Sequence, residues 1–388
     1  MRKIIYLLVG FLALASCQNE LYKDPTETYR SGSGIYIASK GVLQYFVAEG
    51  NNLEMTDLKI SLAQKTDQLV KTMIEAGNQA QLDDYNKKNG TTYIMLPKEM
   101  YELTSNITFE PQYTTIPVPI LLKNIQFSLE GTYALPIKLK GGDVAPIGGQ
   151  DETLIVFEQK IVTKALKVNG AWISGKTMFP NDFKTDQWTL EIMVNRSNYR
   201  SRNRAVLGTH TDVNHDAIFV RFGDVTINPN QLQIVTGSSQ VDVAADKFSA
   251  LPNVWYLLTF VYDGKNTLVY VNGDLVAERE IRTGFYGMTG IWLSELNELV
   301  REVRLWKVAR TALEISANTW KMVNPDDENL IAYFPMNGKK RDRATNTIMP
   351  DETQIWDWSK NEHHLQLPNN SSFDGGKDGG FVFPPTAN

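Results

Sequence analysis

Trp255 to Glu278 reads WYLLTFVYDGKNTLVYVNGDLVAE, and its turns say what kind of chain this is. Two apolar runs flank Asp263-Gly264-Lys265-Asn266, and the second run leads into Asn272-Gly273. A type I′ turn needs positive φ at both central residues, which Asn-Gly supplies, so the stretch predicts consecutive antiparallel strands. Upstream, DQWTLEIMVN (186–195) alternates as a half-buried strand does. Downstream, REVRLWKVARTALEISANTW (301–320) predicts a strand and a short helix, and ENLIAYFPMNG (328–338) another strand.

The rest of the chain reads in the same way. GIYIAS, VLQYFVAE and LKISLAQ are short runs between polar breaks, and TTYIML, NITFEP, TIPVPILL and YALPIKL follow, separated by Pro and Gly. One helix interrupts them. Asn78 is placed to cap AQLDDYNKKNG, Leu82 and Tyr85 share a face, and Gly90 stands where a left-handed C-terminal cap belongs. Short strands around one helix predict an Ig-like β-sandwich for the first part. The run TLIVFEQKIV is expected to close it before Thr163. At 388 residues the chain exceeds the ~250–300 residues at which a single core stops growing. Two β domains are therefore expected, over 34–160 and 161–388.

Charge and composition exclude some functions. The 39 basic and 44 acidic residues are mixed, for a net charge of -5, so no basic stripe exists to bind nucleic acid. Before the only cysteine runs MRKIIYLLVGFLALAS, with Arg2 and Lys3 ahead of an apolar stretch too short to span a bilayer. That is the layout of a secretory signal peptide over 1–16. With no second cysteine, Cys17 has no disulfide partner within the chain. Residues 17–33 are polar with Pro, Ser and Gly, as in a tether.

Several segments resemble known families. Leu14-Ala15-Ser16-Cys17 resembles the bacterial lipobox, which makes Cys17 a lipid anchor, and the polar leader after it resembles the surface-export signal of Bacteroidota lipoproteins. LDDYNKKNGTTYIMLPKEMYELT followed by GTYALPIKL looks like the N-terminal module of unknown function that precedes glycosidases and glycan-binding domains in those lipoproteins. The order of strands from 161 on resembles a laminin-G-like, concanavalin A-like jelly roll. Its landmarks are Trp188, Trp255, Asp263-Gly264, Asn272-Gly273, Val303-Arg304-Leu305-Trp306, Tyr333-Phe334 and Asp357-x-Ser359-x-Asn361 with His364. Trp188, Trp255, Trp306 and Tyr333 are expected to face the sandwich core.

The jelly roll hosts lectins and glucanases, so both need weighing. Glycoside hydrolysis uses two carboxylates about 5–10 Å apart, and enzymes of this fold set them on one strand face as Glu-x-Asp-x-x-Glu. No such motif occurs. In SELNELVREVRLW, Glu295, Glu298 and Glu302 scatter over both faces of a strand, and Glu302 falls where the fold makes a turn before its strand. His210, His215 and His363-His364 show no zinc spacing. Asp212-x-Asn214-x-Asp216 is an oxygen triplet suited to calcium, but it lacks the Gly and bidentate Glu of an EF-hand. No other cofactor is implied.

What remains is binding, which for a sugar needs an exposed aromatic beside hydrogen-bonding groups. NRSNYRSRNR places Tyr199 among four arginines in nine residues, Arg200 nearest to it. TQIWDWSKNEHH holds Trp356 and Trp358, which point the same way if the segment is extended. Trp356, Trp358, Tyr199 and Arg200 are therefore the candidate glycan contacts, with Trp292 and Trp320 behind them. The expected protein is a lipid-anchored outer-membrane lipoprotein that binds an oligosaccharide or polysaccharide for a glycan-uptake system. The alternatives are an adaptor that docks to a transporter or to neighbouring lipoproteins, and a glycosidase.

Overall fold

The computed structural model describes residues 34–385 apart from 40, 129–130, 171, 181–182 and 294–297. The expected signal peptide and tether, with Cys17, and Glu295 lie outside the described residues. Within them the chain is mostly β-strand with two α-helices, neither long and apolar enough to cross a membrane. It divides into two compact units. The first runs to Phe127 and from Gly131 to Glu158, and the second runs from Gln159 onward.

In the first unit, strands Leu43–Val47, Glu152–Gln159, Tyr133–Gly142, Val70–Ala76 and Asn106–Phe109 lie side by side in that order, with Ile94–Met95 parallel to Tyr133–Ala134. Two three-stranded sheets complete it, and Ile60, Ile74, Phe109, Leu122, Leu135 and Phe157 form the shared core. The apolar run 115–122 is cut into Thr115–Pro117 and Ile120–Leu122, which join different sheets. Pro117 and Pro119 lack the N–H that a continuous ladder requires.

Helix Gln79–Asn89 packs Leu82 on Ala134, Leu154 and Val156, with Tyr85 at the margin. Asn78 accepts the backbone N–H of Gln81, and the Gln81 side chain accepts that of Asn78, so two otherwise orphaned donors are satisfied. Gly90 ends the helix at φ 64. The side chain of Asn86 then clips the helix to the next strand, accepting from Thr91 and Tyr93 and donating to Tyr93 O.

The second unit is a jelly roll of two packed sheets. One has the spatial order Asp274–Glu280, Asn266–Val271, Trp255–Tyr262, Trp188–Arg196, Glu298–Trp306, Ala165–Val168 and Ser372–Asp374, with Leu330–Phe334 also paired to Glu298–Trp306. The other has the order Ile173–Gly175, Gly290–Leu293, Arg204–His210, Ile218–Phe222, Leu232–Thr236 and Ser239–Asp242. Between them pack Trp188, Leu190, Ile192, Val194, Leu258 and Phe260 against Leu207, Ile218, Val220, Phe222, Ile234 and Ile291. The hairpin turn has φ 53 at Asn272 and 94 at Gly273, as a type I′ turn requires. The run 153–162 is not one strand. It breaks at Lys160, and Ile161–Thr163 pairs with Phe381–Phe383 near the end of the second unit.

Only Trp188 of the four landmark aromatics faces the space between the sheets. Trp255, Trp306 and Tyr333 lie on the opposite face of the first sheet, where a third layer covers them. Helix Ala312–Ala317 supplies Ile315 to that layer, the following segment supplies Trp320, Met322 and Val323, and the C-terminal strand supplies Phe381 and Phe383. Strands buried on both faces read as continuous apolar runs, which is why the sequence hid this layer.

A network of charges lies under the cover. Glu302 stands in the middle of its strand at φ 52, not in a turn before it. The ladder slips there, with Glu191 opposite Arg304 and Met193 opposite Arg301. A bulge of this kind inserts one residue, so Arg301 and Glu302 both turn to the covered side. Glu302 pairs with Arg301 and Arg304, each at 2.7 Å, and accepts Tyr333 Oη at 2.8 Å. Glu191 meets Arg304 at 3.3 Å and accepts Trp306 Nε1 at 2.9 Å. Burial pushes the Tyr333 phenol far above its ordinary pKa, and the Glu302 carboxylate beside it adds to this.

Candidate functional site

The outward face of the second sheet carries the richest constellation. Ile173, Ile291, Leu293, Ile218, Val220 and Ile234 point into the core, so the residues alternating with them point away from it. Pairing then sets Ser174, Trp292, Gly208, Phe219, Val235 and Gln240 on one line across all six strands. Arg221, Gln233 and Asp242 form a second line beside it.

The first line is aromatic. Trp292 is 9% exposed and lies over Gly208, donating its indole N–H to Thr209 O at 3.2 Å. A Cβ at position 208 would come within 2.3 Å of Trp292 Cζ2 and 2.4 Å of Ile218 O, so only glycine lets the ring approach the sheet this closely. Trp172 stacks on Trp292 with centroids 4.7 Å apart and planes 18° apart, yet remains 50% exposed. Phe219 continues the surface at 6.0 Å.

The second line is polar and already ordered. Arg221 lies 5.1 Å from the Phe219 ring and donates to Gln233 Oε1 at 2.5 Å, Asn203 Oδ1 at 2.8 Å and Asp224 Oδ2 at 2.6 Å. Gln233 in turn donates to Asp242 at 2.6 Å. The backbone N–H of Val225, then Gln233 and Arg221, hold the Asp224 carboxyl below its usual pKa. At the other end of the aromatic line, Ser174 Oγ and His210 Nε2 share a 2.8 Å hydrogen bond, and burial lowers the His210 pKa. Flat apolar rings beside preordered donors and acceptors suit a ligand with C–H faces and hydroxyl edges.

The four residues singled out by sequence are not gathered together. Trp358 is 2% exposed, packs on Tyr333 at 6.3 Å and donates to Lys339 O at 3.0 Å, so it holds the third layer and offers no platform. Trp356 is half-buried in the same cluster, capped by His364 at 4.7 Å and Lys340 at 4.6 Å. Tyr199 folds back on Phe222 at 5.0 Å with its hydroxyl buried, and burial raises its pKa. Arg200 is exposed, and its side chain has no partner among the described residues. Arg196, from the same loop, is buried against Glu298 at 2.5 Å. Asp357 accepts the N–H groups of Tyr333, Ser359 and His363, while Asn361 donates to Ile331 O. The Asp-x-Ser-x-Asn landmark thus staples the Trp356–Trp358 segment to strand Leu330–Phe334.

This placement separates the two tryptophans by stability. Trp358→Phe is expected to cost about 1–2 kcal/mol through a small cavity and a lost hydrogen bond, and Trp356→Phe less than half of that. Thermal melts of the two variants check the order, and equal shifts would contradict it.

The calcium triplet does not converge. The Asp216 carboxylate is committed to Arg282 at 2.9 Å and to the Gly287 N–H at 2.8 Å, while Asp212 and Asn214 are exposed. Among the described residues no group of three His, Cys, Asp or Glu is placed to hold a metal. Glu191, Glu298 and Glu302 are each buried against arginine, not paired across an open cleft as glycoside hydrolysis requires.

Sequence reasoning did not single out Trp172, Phe219, Arg221 or Gln233, and it placed Trp292 behind Trp356 and Trp358. A signal existed in Trp172-Ile173-Ser174 and Ile291-Trp292-Leu293, since aliphatic neighbours committed to the core force the tryptophan to the other face.

The comparisons agree with this architecture. A family of N-terminal domains matches residues 29–146, and the concanavalin A-like lectin/glucanase superfamily, in its laminin-G form, matches 172–316. No curated protein matches the chain. Among solved structures, a Bacteroides ovatus protein to which carbohydrate binding is ascribed is 20% identical, covering 88% of this chain and 97% of that one with a TM-score of 0.58. A heptameric pentraxin from Limulus polyphemus is 16% identical over 40% of this chain and 82% of its own, at 0.32. Domain 4 of an arabinanase from Geobacillus stearothermophilus is 14% identical over 41% and 87%, at 0.30. The second unit is a laminin-G-like member of the concanavalin A-like fold, preceded in the sequence by an N-terminal β-sandwich domain.

Proposed function

We propose that the second unit binds an uncharged glycan on the outward face of its second sheet, without catalysis. The observation that carries this reading is the half-exposed Trp172 stacked on Trp292 beside the preordered Arg221, Gln233 and Asp242. Trp172 is the stacking platform, and Arg221 and Asp242, held by the buried Gln233 between them, meet the hydroxyls. Arg221 is matched by two carboxylates, Asp224 and Asp242, while Arg202 and Arg279 stand at the margin, so positive and negative charge are mixed and neither dominates the face. The carbohydrate binding ascribed to the Bacteroides ovatus protein of the same fold supports the assignment. In this reading Cys17 carries lipid, the protein stands on the outer membrane as part of a glycan-uptake system, and the N-terminal unit is the spacer.

A glycan array probed with a chain beginning at residue 18 tests the binding. Selective capture of uncharged oligosaccharides, with no release of reducing ends from the hits, is the expected result. Silence across the array would turn the argument towards a protein partner, and released reducing ends would make the protein an enzyme. For the anchor, Cys17→Ala is expected to move the protein out of the membrane fraction with its fold unchanged. Retention after a high-salt wash would refute lipidation at Cys17.

A further inference from the structure

We propose that the N-terminal unit is more than a spacer and carries a binding cleft of its own, for an uncharged saccharide of one or two units. A cleft of about 530 Å³ opens between helix Gln79–Asn89 and the start of strand Glu152–Gln159, within the ~300–1,000 Å³ typical of small-molecule sites. Its existence follows from the helix. Leu82 commits one face to the sheet, which leaves Gln81, Asp84, Tyr85 and Lys88, spaced i, i+3, i+4 and i+7, as a stripe along the cleft. Gln150 and Glu152 face them from the other wall, and Ile37, Pro136 and Leu154 contribute apolar surface.

The charges decide the class of ligand. Asp84 pairs with Lys88 at 2.6 Å, and Glu152 pairs with Lys138 at 2.5 Å while accepting Gln81 Nε2 at 3.1 Å. Each carboxylate therefore has its cation, and neither an anion nor a cation finds an unmatched partner. Hydrogen-bonding capacity remains. A carboxylate has about four lone-pair sites, and the Gln150 amide has no partner among the described residues while its backbone is pinned to Ile37 and Ile147. The Tyr85 ring, backed by Tyr93 at 6.3 Å and 26°, supplies an aromatic surface. Apolar surface, a neutral field and spare donors and acceptors suit a polyol that has C–H faces.

The test is saturation-transfer NMR on a chain beginning at residue 18, with maltose, cellobiose, lactose, mannobiose and N,N′-diacetylchitobiose as probes. Every measurement is made in the Trp172→Ala background, which silences the second unit's face. Transfer to at least one probe is expected to persist there. Adding Asp84→Trp, which plugs the cleft from an exposed helical position, is expected to weaken it by about tenfold or more, a difference of about 1.4 kcal/mol. Adding Gln150→Ala is expected to weaken it several-fold with no change in melting temperature. No transfer in the Trp172→Ala chain, or transfer unaltered by Gln150→Ala, overturns the proposal. Should Asp84→Trp lower the melting temperature, Gln150→Ala decides. If Trp172→Ala leaves array binding intact, the reading of the second unit fails and this result is read separately.

Discussion

Glu302→Ala is expected to destabilise the second unit by about 3–5 kcal/mol, because removing one member of a buried ion pair leaves its partners charged and unsolvated. Three groups depend on this carboxylate. Among the described residues Arg301 would lose its one ion-pair partner, and its Nε and Nη1 already have no partner there. Arg304 would keep the longer contact to Glu191 and its hydrogen bond to Lys321 O, and the Tyr333 hydroxyl would lose its acceptor. The strain of φ 52 would remain, since alanine tolerates the left-handed region no better than glutamate. For a unit of this size the melting temperature should fall by roughly 8–15 °C. Glu302→Gln keeps the shape and removes the charge, so it should fall nearly as far. Calorimetry resolving the two units is the measurement, and a loss under about 1 kcal/mol would show that the network is dispensable.

Trp172→Ala is expected to weaken glycan binding at least tenfold while leaving the fold in place. The side chain is half exposed and rests on Trp292, which stays anchored through Thr209. An aromatic stacking contact contributes about 0.5–1.5 kcal/mol beyond its buried area, and the area itself adds about 25 cal/mol per Å². The two together exceed the 1.4 kcal/mol that corresponds to a factor of ten. Gly208→Ala is the complementary probe, since its methyl group would displace Trp292, and Trp172 with it, and would also press on the Ile218 carbonyl, so its affinity is read together with its melting curve. Isothermal calorimetry with the best array hit, alongside melting curves, tests both. Intact affinity in the Trp172 variant, with Gly208→Ala also binding normally, would place the ligand elsewhere.

The parts legible in the sequence were those with local signatures. Asn272-Gly273 could hardly be anything but a tight hairpin turn, and Asn78 and Gly90 marked the helix ends because capping is settled within a few residues. The aromatic face was not legible for the opposite reason. In Ile218-Phe219-Val220 and Ile291-Trp292-Leu293 apolar residues fill both faces, so the period of two that reports orientation vanishes. Trp255, Trp306 and Tyr333 failed likewise, because a third layer buried the face expected to be outside. The Glu302 assignment failed through the bulge. One inserted residue turns two neighbours to the same side, and counting by twos along SELNELVREVRLW cannot anticipate it.

Strand Ile161–Thr163, where the chain enters the second unit, lies beside Phe381–Phe383, the last described strand of that unit. The entrance and exit of the domain are thus hydrogen-bonded to each other. Tension applied between them would load that ladder one rung at a time, as a zipper opens, whereas strands pulled along their length resist with all rungs at once. A domain tied in this way gives its two ends no lever on the jelly roll until the zipper has parted. A pull on the N-terminal side alone passes through Ile161–Thr163 into the first sheet by way of Ala165–Val168. The sheet that carries Trp172 and Trp292 is not the first to bear it.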